Sequence, residues 1–174
     1  MEKKTLLINF YGGPGCGKST ICAGLFYQLK ILGYNCEMAL EFAKDKVWEE
    51  SYKVLDDQIY ILGKQFHKLY RLKDKVDIII TDSPILLGAY YQKTRSKALE
   101  DLILECRREF NNIDIFLERS TDYDPNGRMQ TQEEALKIDD GIKSLLQEKF
   151  IEYTSRPKEE AIDWAIKQII SYFK

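Results

Sequence analysis

The sequence has a single histidine, His67, and four cysteines that form no C-x-x-C pair. One histidine excludes metal sites built from several imidazoles, and a Ser-His-Asp triad would have to use that one ring. The cysteines are Cys16, Cys22, Cys36 and Cys106. Their spacing suits neither a zinc site nor a disulfide framework, and it predicts reduced, mostly buried thiols in a cytoplasmic protein.

The sequence also lacks an excess of charge of one sign. Its 174 residues include 26 Lys and Arg against 28 Asp and Glu, which gives a formal charge of -2. A dedicated nucleic-acid coat protein usually has an isoelectric point above about 9, so this composition disfavours that class. The first apolar run breaks at Asn9, too early for a signal peptide. We expect one globular domain over residues 1–174, with no membrane partner.

Five short apolar runs alternate with segments of helical character. The runs cover residues 5–11, 35–40, 76–81, 113–117 and 150–154. The third is nearly continuous and rich in isoleucine, which is typical of a strand covered on both faces. Strands that alternate with helices predict right-handed crossovers and a parallel sheet. The sequence therefore predicts an α/β fold with a five-stranded parallel sheet.

The helices are predicted between these runs. They are expected at 19–32, at 53–72, around 99–106, around 138–146 and at 162–173. The segment 131–134 reads Thr-Gln-Glu-Glu, which is a capping box for the fourth helix, and Pro157 stands near the start of the last. Residues 119–130 form a strongly polar insertion between the fourth strand and the fourth helix.

One motif points directly to phosphate chemistry. Residues 12–19 read Gly-Gly-Pro-Gly-Cys-Gly-Lys-Ser, which matches G-x-x-x-x-G-K-[ST] between the first strand and the first helix. Such a loop turns backbone N–H groups toward an anion, and the helix N-terminus adds its partial positive charge. Lys18 can reach the β- and γ-phosphates of ATP, and the Ser19 hydroxyl can hold Mg²⁺. The predicted nucleotide contacts are Gly13, Pro14, Gly15, Cys16, Gly17, Lys18, Ser19 and Thr20.

A second magnesium group is expected at the end of the third strand, where Asp82 follows Thr81. Asp82 would bind the ion directly or through water, or alternatively it would cap the next helix. Ser83 stands where many AAA-type ATPases that activate water carry Glu. No Asn-Lys-x-Asp sequence is present to read guanine. These absences disfavour ring-forming ATPases and ordinary GTPases.

Four sequence pieces together resemble the small P-loop kinases of nucleosides and nucleotides, especially ribosylnicotinamide kinase domains and phage-encoded kinases. The pieces are the P-loop at 12–20, Leu40-Glu41-Phe42-Ala43-Lys44, Thr81-Asp82-Ser83-Pro84 followed by Tyr90, and Gly127-Arg128. The resemblance implies a P-loop kinase-like three-layer sandwich with a lid at about 119–131. It also implies that residues 155–157 lie near the adenine base.

The resemblance further implies roles for individual residues. Glu41 matches the base that accepts the proton of the acceptor hydroxyl, whereas Glu37 on the strand is a weaker candidate. The lid residues Arg119 and Arg128 would neutralise charge on the moving phosphoryl group. With Lys18 and Asp82 these residues form the predicted catalytic set. The alternatives are an N-terminal helix charge for Glu41 and a solvated loop for the arginines.

The sequence is less specific about the residues that would bind the acceptor. Gln58 and Gln65 lie two turns apart on one predicted helix face, where the resemblance to deoxynucleoside kinases places amides that read a base; alternatively they belong to a solvated polar face. The side chains of Lys64, His67, Lys68, Arg71 and Lys75 form a basic stripe on the same helix. This stripe would hold an acceptor phosphate or a DNA backbone, or it is a solvated face.

The sequence thus predicts an Mg²⁺- and ATP-dependent phosphotransferase that moves the γ-phosphate to a hydroxyl or phosphate of a nucleoside- or nucleotide-type acceptor. One alternative is a phage-type kinase of hydroxymethylated bases in DNA, such as 5-hydroxymethyluracil, acting in the host cytoplasm. An alternative from another class is a P-loop ATPase or nucleotide-dependent switch.

Overall fold

The computed structural model describes residues 4–119 and 131–174. These residues form a parallel sheet of five strands in the order β2-β3-β1-β4-β5. The strands are β1 Leu6–Tyr11, β2 Cys36–Met38, β3 Ile78–Thr81, β4 Asn111–Glu118 and β5 Thr154–Pro157. The helices are α1 Lys18–Ile31, α2 Phe42–Trp48, α3 Gln58–Tyr70, α4 Leu87–Tyr90, α5 Lys97–Arg108, α6 Gln132–Glu148 and α7 Lys158–Phe173, with a 3₁₀ helix at Tyr52–Asp56.

The central strand β1 is buried on both faces, because β3 and β4 flank it and helices cover the sheet on both sides. Ile8 and Phe10 pack with α1 and α7 on one face. Leu7 and Tyr11 pack with α3, α4, α5 and α6 on the other. This arrangement confirms the predicted α/β three-layer sandwich. It also brings the C-terminal ends of all the strands to one edge of the sheet, where ligands of such folds bind.

The fifth strand begins later than the sequence predicts. The run at 150–154 was expected to be a strand, but β5 begins at Thr154. Phe150 is 93% exposed and has a φ of 53°. The Phe150 N–H bonds to the carbonyl of Gln147 and the Ile151 N–H to that of Leu146, which is the pattern that closes a helix with a left-handed residue. The apolar residues at 150 and 151 therefore terminate α6.

The predicted helix at 53–72 is divided in two. A 3₁₀ helix occupies Tyr52–Asp56, and the side chain of Asp57 then accepts a hydrogen bond from the Tyr60 N–H at 3.0 Å to cap α3. The predicted capping box of α6 is confirmed, because Thr131 and Glu134 exchange both of its hydrogen bonds. Among the helices that the structure describes, none is both long and apolar enough to cross a membrane.

A nearly buried carboxylate joins α5 to α6. Glu100, with a side chain 6% exposed, accepts hydrogen bonds from Arg95 Nε at 2.5 Å and from Lys149 Nζ at 2.5 Å. The bond from Arg95, supported by Lys149, lowers the pKa of Glu100 from 4.5 to about 2. The folded protein therefore holds this carboxylate ionised at a pH where the unfolded chain would protonate it.

Because the folded-state pKa lies below the unfolded one, the stabilisation from Glu100 is present above about pH 4.5 and is lost as the pH falls toward 2. Glu100→Gln should lower the free energy of unfolding by about 1.5–3 kcal/mol at neutral pH and flatten its dependence on pH in this window. Urea unfolding at a series of pH values measures both effects. Asp101→Asn, at an exposed neighbour paired with Lys97, is the control, and an unchanged pH slope in Glu100→Gln would contradict the assignment.

Candidate functional site

The P-loop joins β1 to α1, and its glycines have backbone conformations that other residues avoid. Gly12 has a φ of 137°, and a Cβ there would lie 2.5 Å from Cys16 Sγ. Gly17 has a φ of 91° immediately before α1. A side chain at either position would be strained, so these glycines allow the loop to fold tightly over the start of the helix. The sequence motif thus forms a tight turn at the start of a helix, which is the geometry that anion-binding loops use.

Lys18, the first residue of α1, folds back over this loop. Its Nζ donates to the carbonyl of Gly12 at 2.7 Å and to that of Gly13 at 2.9 Å. The ammonium group is thereby fixed by backbone oxygens at the loop itself. A phosphate bound in the loop would meet a positive charge that is already in position.

The two residues predicted to hold magnesium are in direct contact. The Ser19 hydroxyl donates to Asp82 Oδ2 at 2.5 Å, and Asp82, directly after β3, is only 2% exposed. Hydroxyl and carboxylate oxygens are the donors that Mg²⁺ prefers, and this ion usually takes its other ligands from phosphates and water. Within residues 4–119 and 131–174, no group of three or more His, Cys, Asp or Glu side chains is arranged to hold a metal.

Asp82 also positions the predicted base. Its Oδ1 accepts a hydrogen bond from the backbone N–H of Glu41 at 2.9 Å. Both oxygens of Asp82 are thus engaged away from α4, which begins only at Leu87. The alternative role of Asp82 as a cap for the next helix is therefore not observed.

Glu41 occupies the N-cap position of α2, but its side chain makes no capping hydrogen bond. Burial raises the pKa of Glu41, Lys18 opposes that rise, and the charge of Asp82 adds to it. Glu41, Lys18 and Asp82 therefore act on one another electrostatically at the C-terminal edge of the sheet. The side chain of Glu41 is a weaker acid than an exposed glutamate. It does not cap the N-terminus of α2.

Gln65 has a different environment from the one the sequence predicts. Its side chain is buried, its Oε1 accepts from the Phe42 N–H at 2.9 Å, and its Nε2 donates to the carbonyl of Ala39 at 3.5 Å. The amide is therefore occupied by the β2–α2 connection and does not read a base. By holding that connection, Gln65 fixes the segment that carries Glu41.

The predicted basic stripe extends past the end of α3 at Tyr70, so Arg71 and Lys75 lie in the turn that follows, and its members differ in environment. Lys68 donates to the carbonyl of Leu40 at 3.0 Å and lies 3.7 Å from Asp45, so it too supports the β2–α2 connection. The remaining members are exposed; they are Lys64, His67, Arg71 and Lys75. Gln58 uses its Nε2 for the carbonyl of Leu55 at 2.6 Å. The stripe therefore contains one structural lysine and four exposed residues.

Two tyrosines lie between α4 and α6. The ring of Tyr90 packs against α6 where Gly141 has no side chain, and a Cβ on Gly141 would lie 2.4 Å from the ring. Tyr91 meets Tyr90 edge to face, with ring centroids 5.0 Å apart, and remains 44% exposed. Burial, and next the charge of Glu41, raise the pKa of the Tyr91 phenol. Tyr91 is thus a partly exposed aromatic surface within the electrostatic reach of Glu41.

Arg119 is buried and does not belong to a solvated loop. It follows β4, and its side chain is 7% exposed. Its Nε donates to Asp139 Oδ2 at 2.8 Å and its Nη1 to the carbonyl of Pro14 at 2.8 Å. The alternative of an incidental loop arginine is therefore wrong for Arg119. Arg128 and the predicted lid segment at 120–130 lie outside the described residues and stay predictions from the sequence.

Asp139 is a residue that the sequence reasoning missed. It lies on α6, is 5% exposed, and its Oδ1 accepts a hydrogen bond from the Gly13 N–H at 2.5 Å. Asp139 shares a helical stripe with the buried residues Ala135, Ile142 and Leu146. The signal in the sequence was a carboxylate at a helix position where the spacing of apolar residues predicts a buried side chain. The Gly13 N–H, predicted to contact the nucleotide, is therefore already bonded within the protein.

The segment predicted to lie near the adenine base is adjacent to the P-loop. The side chain of Lys158 at the start of α7 would lie 2.9 Å from a Cβ on Gly17. The guanidinium of Arg156 lies 5.4 Å from the centre of the Trp164 ring. The start of α7, directly after this segment, thus lies beside the loop.

Comparison of the sequence with known families agrees with this geometry. The model of an AAA domain family matches residues 7–161, a range that contains the P-loop, Glu41, Asp82 and Asp139. The chain belongs to this AAA domain family. A search of curated proteins finds no matching relative.

Solved structures with the same architecture include a deoxyadenosine kinase and an APS kinase. The deoxyadenosine kinase of M. mycoides with dCMP and dCDP has a TM-score of 0.56 at 17% identity, over 95% of this chain and 99% of that chain. With dATP bound, that enzyme gives 0.56 at 19% identity, over 96% and 98%. The APS kinase of Mycobacterium tuberculosis gives 0.50 at 15% identity, over 97% and 96%. These likenesses establish the fold.

The contact between Ser19 and Asp82 predicts that a substitution at Asp82 weakens nucleotide binding mainly when magnesium is present. Asp82→Asn should weaken binding of Mg-ATP about 10- to 100-fold, the equivalent of one charge-assisted interaction, and should change ATP binding in EDTA much less. Calorimetric titration with and without Mg²⁺ measures the difference. Asp77→Asn is the matched control, because Asp77 is exposed and directly precedes β3, at the end of the strand opposite Asp82. Equal losses with and without the metal would contradict the predicted role.

Proposed function

We propose that this AAA domain protein is an Mg²⁺- and ATP-dependent kinase of a nucleoside- or nucleotide-type hydroxyl. One chain of contacts carries the proposal: Ser19 on the P-loop helix bonds to Asp82, and Asp82 bonds to the backbone of Glu41. These contacts hold the backbone of Glu41 at the edge of the sheet that carries the P-loop, and its carboxylate would accept a proton beside the γ-phosphate. A carboxylate at this place could also activate water, so the acceptor screen below separates a kinase from a hydrolase.

Glu41 is suited to the role of general base. A base is most effective when its pKa lies near the working pH, and burial raises the pKa of Glu41 in that direction. Because Lys18 and Asp82 affect it with opposite sign, its proton affinity depends on the charge at the phosphate site. Glu41 would take the proton of the acceptor hydroxyl as that oxygen attacks the γ-phosphorus, while the bond from phosphorus to the β,γ-bridging oxygen breaks and ADP leaves.

The chain's own cations would stabilise the transferred group. Ser19 and Asp82 would hold Mg²⁺, which when bound supplies positive charge between phosphate oxygens. Lys18 lies over the loop, and Arg119 is bonded to the loop carbonyl of Pro14. Phosphoryl transfer relies mainly on positioning and on neutralising charge, and both cations are fixed before substrate arrives.

The partly exposed ring of Tyr91 favours an acceptor with a planar group. Tyr91 is partly exposed, and its phenol is within the electrostatic reach of Glu41. A nucleobase can stack on such a ring. The structurally similar deoxyadenosine kinase is named for a nucleoside acceptor, which supports the same class here.

A hydroxymethylated base within DNA is a second candidate acceptor. The exposed basic residues Lys64 and His67 on α3, and Arg71 and Lys75 after it, are the observation that favours it, because they would contact a phosphate backbone. Hydrolysis of ATP, with water as the acceptor, is the candidate from another class.

A screen with γ-labelled ATP separates these functions. The acceptors are nucleosides, nucleoside monophosphates, ribosylnicotinamide and DNA that contains 5-hydroxymethyluracil. We expect label to enter a free nucleoside or nucleotide, whereas label in DNA would support the second candidate. Label released only as inorganic phosphate, with every acceptor, would overturn the kinase proposal.

Glu41→Gln should lower the rate of phosphoryl transfer about 10²- to 10⁴-fold, which is the usual contribution of a general base. Binding of ATP should change little, because the backbone N–H that bonds to Asp82 is retained. Steady-state kinetics and calorimetric titration measure the two quantities. Glu37→Gln is the matched control, since Glu37 lies on β2 and pairs with Lys30 at 3.5 Å.

The pH profile gives a second measurement on the same variants. Because burial raises the pKa of Glu41 above 4.5, transfer should decline as the pH falls through a value above 4.5, where the base becomes protonated. The residual activity of Glu41→Gln should lack this acid limb. A variant with near-normal turnover and the wild-type limb would remove Glu41 from the role.

A further inference from the structure

The carboxylate of Asp139 is shared by donors from two parts of the site. Its Oδ1 accepts from the Gly13 N–H of the P-loop at 2.5 Å, and its Oδ2 accepts from Arg119 Nε at 2.8 Å. Arg119 is bonded in turn to the carbonyl of Pro14 at 2.8 Å. Asp139, Arg119 and the P-loop therefore form a closed ring of contacts, and the side chains of both charged residues are only 7% exposed.

One donor in this ring is unused. Arg119 Nη2 is buried and, within the part of the chain that the structure describes, has no hydrogen-bond partner. It lies 3.2 Å from the point that a Cβ on Gly13 would occupy, so it is in contact with the phosphate loop. Buried donors of folded proteins are nearly always satisfied. An unsatisfied charged donor beside an anion-binding loop is a site for a phosphate oxygen.

We propose that Asp139 is a positioning residue that acts through Arg119. By fixing Nε, while the carbonyl of Pro14 fixes Nη1, it sets the guanidinium plane so that Nη2 is presented to the phosphates of the bound nucleotide. Asp139 itself does not touch the substrate. The inference rests on the proposed function only in that the nucleotide carries phosphates into the P-loop.

The chemistry of an amide provides a selective test. In Asp139→Asn one side-chain oxygen is replaced by NH₂, so one of the two contacts becomes a donor facing a donor. The conflict disturbs Arg119 if the remaining oxygen stays with Gly13. In an Arg119→Met background the conflict disappears, because the amide oxygen can still accept from the Gly13 N–H. A residue that acts through Arg119 should therefore lose its effect once Arg119 has been replaced.

The experiment uses the wild type, D139N, R119M and the double variant. Affinity for Mg-ATP is measured by calorimetry without any acceptor, and kcat is measured with the acceptor found by the screen. We expect D139N to weaken Mg-ATP binding about tenfold and to lower kcat about 10²-fold, the scale of a misplaced catalytic group. We expect the double variant to match R119M in both quantities.

The outcome that overturns the proposal is a D139N effect of the same size in the R119M background, because Asp139 would then act through Gly13 or through general packing. The comparison of R119M with the double variant decides this even where D139N alone fails to fold. D140N, at the exposed neighbour on α6, controls for helix charge, and unfolding temperatures control for stability. If no acceptor is phosphorylated, the proposed function fails. The Mg-ATP affinities of the four proteins still decide the role of Asp139.

Discussion

The candidate site depends on one buried carboxylate at the end of β3. Asp82 accepts a hydrogen bond from Ser19 on α1 and another from the backbone of Glu41 before α2. Two separate segments, the start of α1 and the connection before α2, are therefore held to the end of β3 by a single side chain. Burying an ionised group is unfavourable unless it is well bonded, so its partners are restricted to few positions. The sheet supplies the rigid base, since β3 is buried along its whole length.

Further polar groups support this centre. Gln65 and Lys68 hold the β2–α2 connection through its backbone, and Asp139 holds the loop on the opposite side. Each of these groups bonds to main chain or to another charged residue. The site is thus stabilised by contacts that leave the Glu41 carboxylate and the partly exposed Tyr91 ring available for a ligand.

Much of this arrangement could be predicted from local sequence. The P-loop, Glu41 and Asp82 each follow a strand, and parallel strands bring such residues to one edge. The fifth strand was misplaced because the apolar residues Phe150 and Ile151 serve to end a helix, which their hydrophobicity does not reveal. Gln65 and Asp139 could not be assigned, because the partner of a buried polar group lies far away in sequence. Only its position on an apolar helix stripe hints that a partner exists.

The contact of Tyr90 with Gly141 has a consequence for how this protein can diverge. A glycine within a helix lowers helix stability relative to alanine, yet any larger residue at 141 would meet the ring of Tyr90. The separation of α4 from α6 is therefore set by the thickness of one aromatic ring against bare backbone. Because Tyr91 follows Tyr90 on the same short segment, a relative that enlarges residue 141 would have to shrink residue 90 in compensation. Paired changes at these two positions would mark relatives in which α4 and α6 lie at a different separation.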